Sequence, residues 1–272
     1  MIVERLLKIY SHSNVLHHLI HPMLDRFFKN DSTTRVLRVP TGPLKGFHLE
    51  LNLKWERQYL LGKIEQNIIE VVRELVKPNM TCYDIGAHVG YHTLILSQQV
   101  GSSGRVIAFE PSPSVFARLQ GNIALNASQI DGSVKLLPIA VGDKEGHRPF
   151  FKGGATTTGR LVRFPQGTSE ADIFQVECRT LDGLVFGQIL PPPDFIKIDV
   201  EWAERLVLEG MRRVLEEFRP IVVCEIHDFK PGQDIHDALK ELNYFIYSAE
   251  SKQEWVYSDD VVKGEHMIAT PR

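Results

Sequence analysis

From residue 81 onward the chain repeats one order: a short apolar run, a turn, then an amphipathic run. "TCYDIG" precedes "VGYHTLILSQQV", and "GRVIAFEP" precedes "SPSVFARLQGNIALN". "SVKLLPIAVGD" follows. "DFIKIDVE" then precedes "AERLVLEGMRRVLEEF", and "RPIVVCEIHD" precedes "IHDALKELN". Runs of this length with helical stretches between them predict parallel strands with helices on both faces of one sheet. The tail, "YFIYSAE" and "EWVYS" to "HMIAT", has strand-like runs without intervening helices and predicts an antiparallel edge. Ligands in such sheets sit at the carboxyl ends of the strands, where strand order reverses.

Two segments lie outside that rhythm. In residues 1–54, apolar residues at helical spacing before and after Pro22 predict one or two amphipathic helices, and "RVLRVPTGPLKGFHLELNL" predicts a small hairpin. The helical stripe suits packing on the main domain or a homodimer contact; His17 and His21, four apart, read as surface helix residues rather than a metal site. Residues 55–272 form the main domain, the alternating sheet, preceded by a helical stripe of Ile64, Ile68, Val71, Val72 and Leu75 that Pro78 ends. Residues 151–184 carry Gly and Thr runs and predict a lid-like loop, then a strand "FQVECRT", then a helix opened at "TLDGL".

Charge and cysteine usage narrow the function classes. A formal net charge of -3 and the lack of a basic stripe argue against nucleic acid as partner. Cys82, Cys178 and Cys224 are far apart in apolar runs and fit buried thiols in a cytoplasmic protein. No apolar run has the length of a membrane span, and the N-terminus lacks a signal-peptide core.

The strand ends carry the chemistry. "YDIGAHVGYHT" places Gly86 and Gly90 at G-x-x-x-G spacing, with Asp84 just before them. A dinucleotide loop uses closely spaced glycines to bring backbone against pyrophosphate, and an acid there would repel it. An acid with small residues (Gly86, Ala87, Gly90) suits a cofactor with cationic groups and no phosphate, such as S-adenosylmethionine. Glu110, before Pro111 at the second strand end, is placed to accept ribose hydroxyls. Ala140 to Asp143, at the third, leave room for adenine. Lys197, Asp199 and Glu201 alternate along the fourth, so period two sends all three to one side. Glu225 and His227 end the fifth, and His227 or Glu201 is expected to act as general base beside Asp199. Asp199, Glu225 and His227 also suit a divalent ion; a metal-free site is the expectation. His88 and His92 do not make a zinc helix, because Val89 stands where a metalloprotease has Glu.

In this order "YLLGKIEQNI", "YDIGAHVGYHT", "VIAFEPSPSVFARLQGNIALN", "IAVGDKEG", "RTLDGL", "FIKIDVEWAE" and "VVCEIHD" resemble the FkbM family of S-adenosylmethionine-dependent methyltransferases, over Trp55 to Asp228. The resemblance implies a Rossmann-like class I methyltransferase: a three-layer sandwich with a mostly parallel seven-stranded sheet and an antiparallel last strand, here with an N-terminal helical extension. It implies cofactor contacts at Asp84, Gly86, Gly90 and Glu110, with Ala87, His88 and Pro111 beside them, adenine near Ala140, and Asp199 and Glu201 at the methyl-transfer cleft. It implies O-methylation of a small hydroxylated acceptor, a sugar or secondary metabolite. Two positions depart from the family pattern: His88 stands where Asn is usual, and Trp202 where Gly is usual. The rival readings are a non-catalytic domain of the same fold and a nicotinamide oxidoreductase, the latter disfavoured by the glycine spacing. A nucleic-acid N-methyltransferase should carry an Asn- or Asp-Pro-Pro-aromatic motif after the fourth strand, where this chain has "DVEW".

Overall fold

The computed structural model describes residues 33–61, 64–153, 159–161, 167–227, 229–255 and 264–272. The expected N-terminal helices with His17 and His21, the centre of the expected lid and residues 256–258 of the expected "EWVYS" strand lie outside these residues; Glu254 of that segment bridges Tyr247.

The chain opens with an antiparallel hairpin of β1 (Thr34–Arg38) and β2 (His48–Asn52), followed by α1 (Arg57–Leu61) and α2 (Gln66–Leu75). The alternating region then runs β3 (Thr81–Ile85), α3 (Tyr91–Val100), β4 (Arg105–Phe109), α4 (Pro113–Leu125) and β5 (Ser133–Leu137). A small side sheet follows, from β6 (Ala140–Val141), β7 (Gly146–Phe151) and β8 (Ile173–Arg179). The chain returns through α5 (Leu181–Phe186), β9 (Phe195–Ile198), α6 (Glu204–Glu209), α7 (Arg212–Glu217) and β10 (Ile221–Ile226). It closes with α8 (Phe229–Glu241), β11 (Tyr244–Ser248) and β12 (Glu265–Pro271).

The main sheet has seven strands in the order β11-β12-β10-β9-β3-β4-β5. All its neighbours pair in parallel except β12, which runs antiparallel to both β10 and β11. The chain builds outward from β3 to β5, then returns to β9 on the other side of β3. Strand order therefore reverses between β3 and β9, and a crevice opens there at the strand ends.

Period-two alternation divides the sheet's side chains between two cores. On one face Cys82, Val106, Phe195, Val223 and Ile268 pack with α2, α3 and the hairpin residues Leu49 and Leu51. On the other, Tyr83, Ile107, Phe109, Ile196, Val222 and Cys224 pack with Leu184, Val207, Leu215 and Leu239 of α5 to α8. All three cysteines are free and buried. Among the described residues no helix is long and apolar enough to cross a membrane.

Several elements differ from the periodicity reading. The third strand divides into β5 and β6, with Pro138 between them; proline has no N–H for a ladder. "AERLVLEGMRRVLEEF" breaks into α6 and α7 at Gly210. A β-carbon on Gly210 would lie 1.9 Å from the Gly142 carbonyl oxygen, so the backbone there abuts the neighbouring loop. Ser112 does sit at the start of α4, but its side chain makes no capping bond. The helical stripe before Pro78 is interrupted at Glu65, which has φ 46.

Candidate functional site

Gly86 lies where β3 meets the crevice. Its φ is +85, and an added β-carbon would stand 1.8 Å from the carbonyl oxygen of Asp199, at the tip of β9. Only glycine permits that backbone-to-backbone approach. Gly90 has φ +90 and opens α3; a β-carbon there would meet Leu119 of α4 at 2.7 Å. The first glycine thus shapes the crevice, and the second lets two helices close.

A cavity of about 280 Å³ occupies the crevice. Of the expected cofactor residues, Gly86, His88, Glu110, Pro111, Ala140 and Asp199 line it. Asp84, Ala87 and Gly90 do not. Ala87 packs with Ala108 and Leu119. Asp84 is fully buried: Thr93 Oγ1 donates to its Oδ2 at 2.6 Å, and its Oδ1 has no hydrogen-bond partner. Asp143, expected near an adenine, accepts instead from Arg148 at 2.8 Å.

Glu110 is the best-defined polar group on the wall. The backbone N–H of His88 donates to Oε2 at 3.1 Å and that of Ser112 to Oε1 at 2.9 Å. Burial pushes its carboxyl up to about 7, against the pull of both N–H groups. His88 itself turns inward, with Nε2 3.4 Å from Glu56 Oε1, and burial lowers its pKa. Glu56 is fully buried and pairs with Arg118 of α4.

Beyond β9 and β10 the charged side chains gather. Lys197 is buried, and its Nζ donates to Asp199 Oδ2 at 3.0 Å. Burial opposes the Lys197 charge, but Asp199, Asp84 and Glu65 together raise its pKa. Burial likewise opposes the Asp199 charge, and the Lys197 ammonium overcomes it and holds the carboxyl well below its ordinary range. Burial and the neighbouring Asp199 carboxylate push Glu225 up to about 9.

Lys197, Asp199 and Glu201 do not all lie on one strand. β9 ends at Ile198, and Glu201 and Trp202 take left-handed φ values of 47 and 76. Glu201 reaches the cavity wall through this turn rather than by strand period. Trp202, which stands where the family pattern has Gly, is not on the wall; its ring centre lies 6.3 Å from that of His227.

His227 is buried behind the wall. Its Nδ1 lies 2.5 Å from Glu204 Oε1, and its Nε2 lies 3.6 Å from both Glu201 Oε2 and Glu225 Oε1. Burial would lower its pKa, but Glu204, then Glu225 and Asp199, carry it up to about 9. An imidazole so held is charged at neutral pH and does not suit the general-base role expected from its unperturbed value. The sequence reading missed Glu204, which holds the ring, and the wall residues Trp55, Gln58, Tyr59, Glu65 and Phe150. The first four fall in or beside "YLLGKIEQNI", a family mark to which it gave no site role. Glu204 had no signal beyond being an acid in "WAE".

Residues 84–246, more than half of the chain, match the family described as Methyltransferase FkbM domain. The chain belongs to this family. It is 28% identical over 187 residues to a hexuronic acid methyltransferase of Haloferax volcanii, covering 69% of this chain and 72% of that protein. It is 25% identical over 205 residues to the AMB antimetabolite synthetase of Pseudomonas aeruginosa, covering 62% of this chain but 9% of that protein. An FkbM methyltransferase structure from Methylobacillus flagellatus is 15% identical with a TM-score of 0.49, covering 80% of this chain and 53% of that one. The FkbM assignment agrees with the seven-stranded sheet and its antiparallel β12, and the chain is a methyltransferase by family.

Proposed function

We propose that this FkbM-family chain transfers a methyl group from S-adenosylmethionine to a hydroxyl oxygen of a small hydroxylated acceptor, a sugar or related metabolite. The observation that carries the cofactor reading is Glu110. It is a buried carboxylate on the cavity wall at the end of β4, steadied by two backbone N–H groups. In a sheet of this kind an acid there accepts ribose hydroxyls. The remaining features fit the same group. Gly86 leaves a cradle that a β-carbon would fill, and the unpartnered Asp84 Oδ1 adds negative potential behind it. Ile139, Ala140 and Val141 offer an apolar wall for a flat ring.

S-adenosylmethionine supplies, when bound, a methyl carbon made electrophilic by its sulfonium. The chain's part is alignment, which can contribute roughly 7–11 kcal/mol. Asp199 and Glu201 line the cavity beyond the tip of β9, where the acceptor would lie. Glu201, on the wall, would take the proton of the acceptor hydroxyl as that oxygen is methylated. The sugar-type acceptor rests on the Haloferax relative, whose name states action on a hexuronic acid.

Isothermal calorimetry tests the cofactor reading. S-adenosylmethionine is expected to bind the wild-type chain, and Glu110→Ala to weaken binding at least tenfold. Undiminished binding in Glu110→Ala would refute the placement.

A further inference from the structure

A carboxylate oxygen of Asp199, one of Glu225 and a ring nitrogen of His227 lie within 4.8 Å of one another at the tips of β9 and β10. We propose that these three side chains bind a hard divalent cation of the manganese or magnesium class, at the floor of the acceptor cleft.

Four observations carry this. The His227–Glu225 separation suits a shared ion: ligands about 2.0–2.1 Å from one small divalent centre stand at most about 4.2 Å apart, and His227 Nε2 is 3.6 Å from Glu225 Oε1. The His227 ring is also oriented for ligation. Glu204 Oε1 takes Nδ1, which leaves Nε2 facing Glu225 and Glu201. A carboxylate that fixes one ring nitrogen while the other faces the ion is the usual support of a metal-bound histidine. Glu204 is held in turn by the backbone N–H of Trp202 at 3.0 Å.

A second buried histidine adds an independent observation. His266 comes from β12, is 5% exposed, and has its Nδ1 3.1 Å from Glu250 Oε1. Its Nε2 is buried without a hydrogen-bond partner, 3.9 Å from Glu225 Oε2. Two rings, each backed by a carboxylate, therefore aim their outer nitrogens at Glu225 from different elements. Charge allows it: Asp199, Glu201 and Glu204 surround the place against one Lys197 ammonium, and an ion there would displace the protons that Glu225 and His227 otherwise hold. The mixed donor set, mostly oxygen with an imidazole, suits a hard divalent ion that tolerates nitrogen.

Asp199 and Glu225 line the cavity, so an ion between them would present open positions to an acceptor. Its use there rests on the methyl-transfer reading. Coordination of the acceptor hydroxyl lowers that hydroxyl's pKa. Its proton then leaves to Glu201, and the oxygen takes the methyl carbon while sulfur keeps the bonding pair.

The test is a manganese titration of the full chain followed by electron paramagnetic resonance of the free ion. Wild type is expected to remove one equivalent from the free signal. Glu225→Gln should weaken binding at least tenfold, and Glu204→Gln, acting through His227, less. Exposed Glu209→Gln should match wild type. An undiminished free signal with wild type at millimolar manganese overturns the proposal, as does equal binding by wild type and Glu225→Gln. S-adenosylmethionine calorimetry on the same samples separates the two readings: cofactor binding without manganese binding removes the ion alone, and the converse removes the cofactor.

Discussion

Glu110 shows how one side chain ties stability to binding. Its carboxyl sits at about 7 in the folded chain, against an unfolded value near 4.5. The folded chain therefore keeps a proton that the unfolded chain releases between these values, and stability falls as pH rises through that window. The effect is at most about 3 kcal/mol. Conversely, the ionised form accepts ribose hydroxyls better, so cofactor affinity should rise as pH passes about 7. Calorimetry at pH 6 and pH 8 should show tighter binding at the higher pH, with the gain reduced in Glu110→Gln. A gain equal in both proteins would assign the pH effect elsewhere.

Trp202 carries a different cost. A non-glycine residue at φ 76 gives up roughly 1–2 kcal/mol relative to glycine. That explains in backbone terms why the family pattern has Gly there. Trp202→Gly is expected to stabilise the chain by about 1 kcal/mol in urea unfolding unless the ring's contacts offset the relief. A loss of more than that would show that packing near His227 outweighs the strain.

At the scale of elements, the hairpin is fixed to the sheet through α4. Asn122 Oδ1 accepts the Glu50 N–H at 2.6 Å, and its Nδ2 donates to the Val89 carbonyl at 2.9 Å. Asn126 accepts the His48 N–H at 2.8 Å and returns a bond to the His48 carbonyl at 2.7 Å. Arg118 completes the join by pairing with buried Glu56. Burial opposes the Glu56 charge, but Arg118 and His88 outweigh it and lower its pKa. A lowered carboxyl contributes stability above its unfolded pKa and loses it as pH falls through the folded value. Arg118→Met should then cost about 3 kcal/mol at pH 7. The deficit should shrink only in stronger acid, well below the ordinary 4.5, once Glu56 is protonated in wild type as well as in the variant; denaturant unfolding at pH 7 and at the lowest pH where both proteins fold measures it.

The same scale explains what the sequence could and could not say. "TCYDIG", "GRVIAFEP" and "RPIVVCEIHD" were legible as strands because buried parallel strands are continuous apolar runs. The α6–α7 break was not, because its cause is the Gly142 carbonyl, far off in sequence. Glu110 was legible, since its place follows from a strand end. The His227 environment was not: Glu204 and His266 reach it from α6 and β12, and no local spacing records such meetings.

For the molecule as a whole, the reversal of strand order between β3 and β9 brings both halves of the site together. β3 and β4 supply the Gly86 cradle and Glu110, while β9 and β10 supply Asp199, Glu225 and the buried His227. The segment after the hairpin, α1 and the side sheet wall the cavity through Trp55, Gln58, Tyr59 and Phe150. A cofactor held on one half and an acceptor on the other would meet across one cavity of about 280 Å³. The central claim is that methyl transfer occurs there, to oxygen. Incubation of the chain with methyl-labelled S-adenosylmethionine and a panel of sugars and sugar acids, read by mass spectrometry, tests it most directly. The expected result is one labelled methyl per acceptor, retained through mild alkali as an ether and lost in Glu110→Ala. Label that alkali releases as an ester, or label found only on nitrogen-containing acceptors, would contradict it.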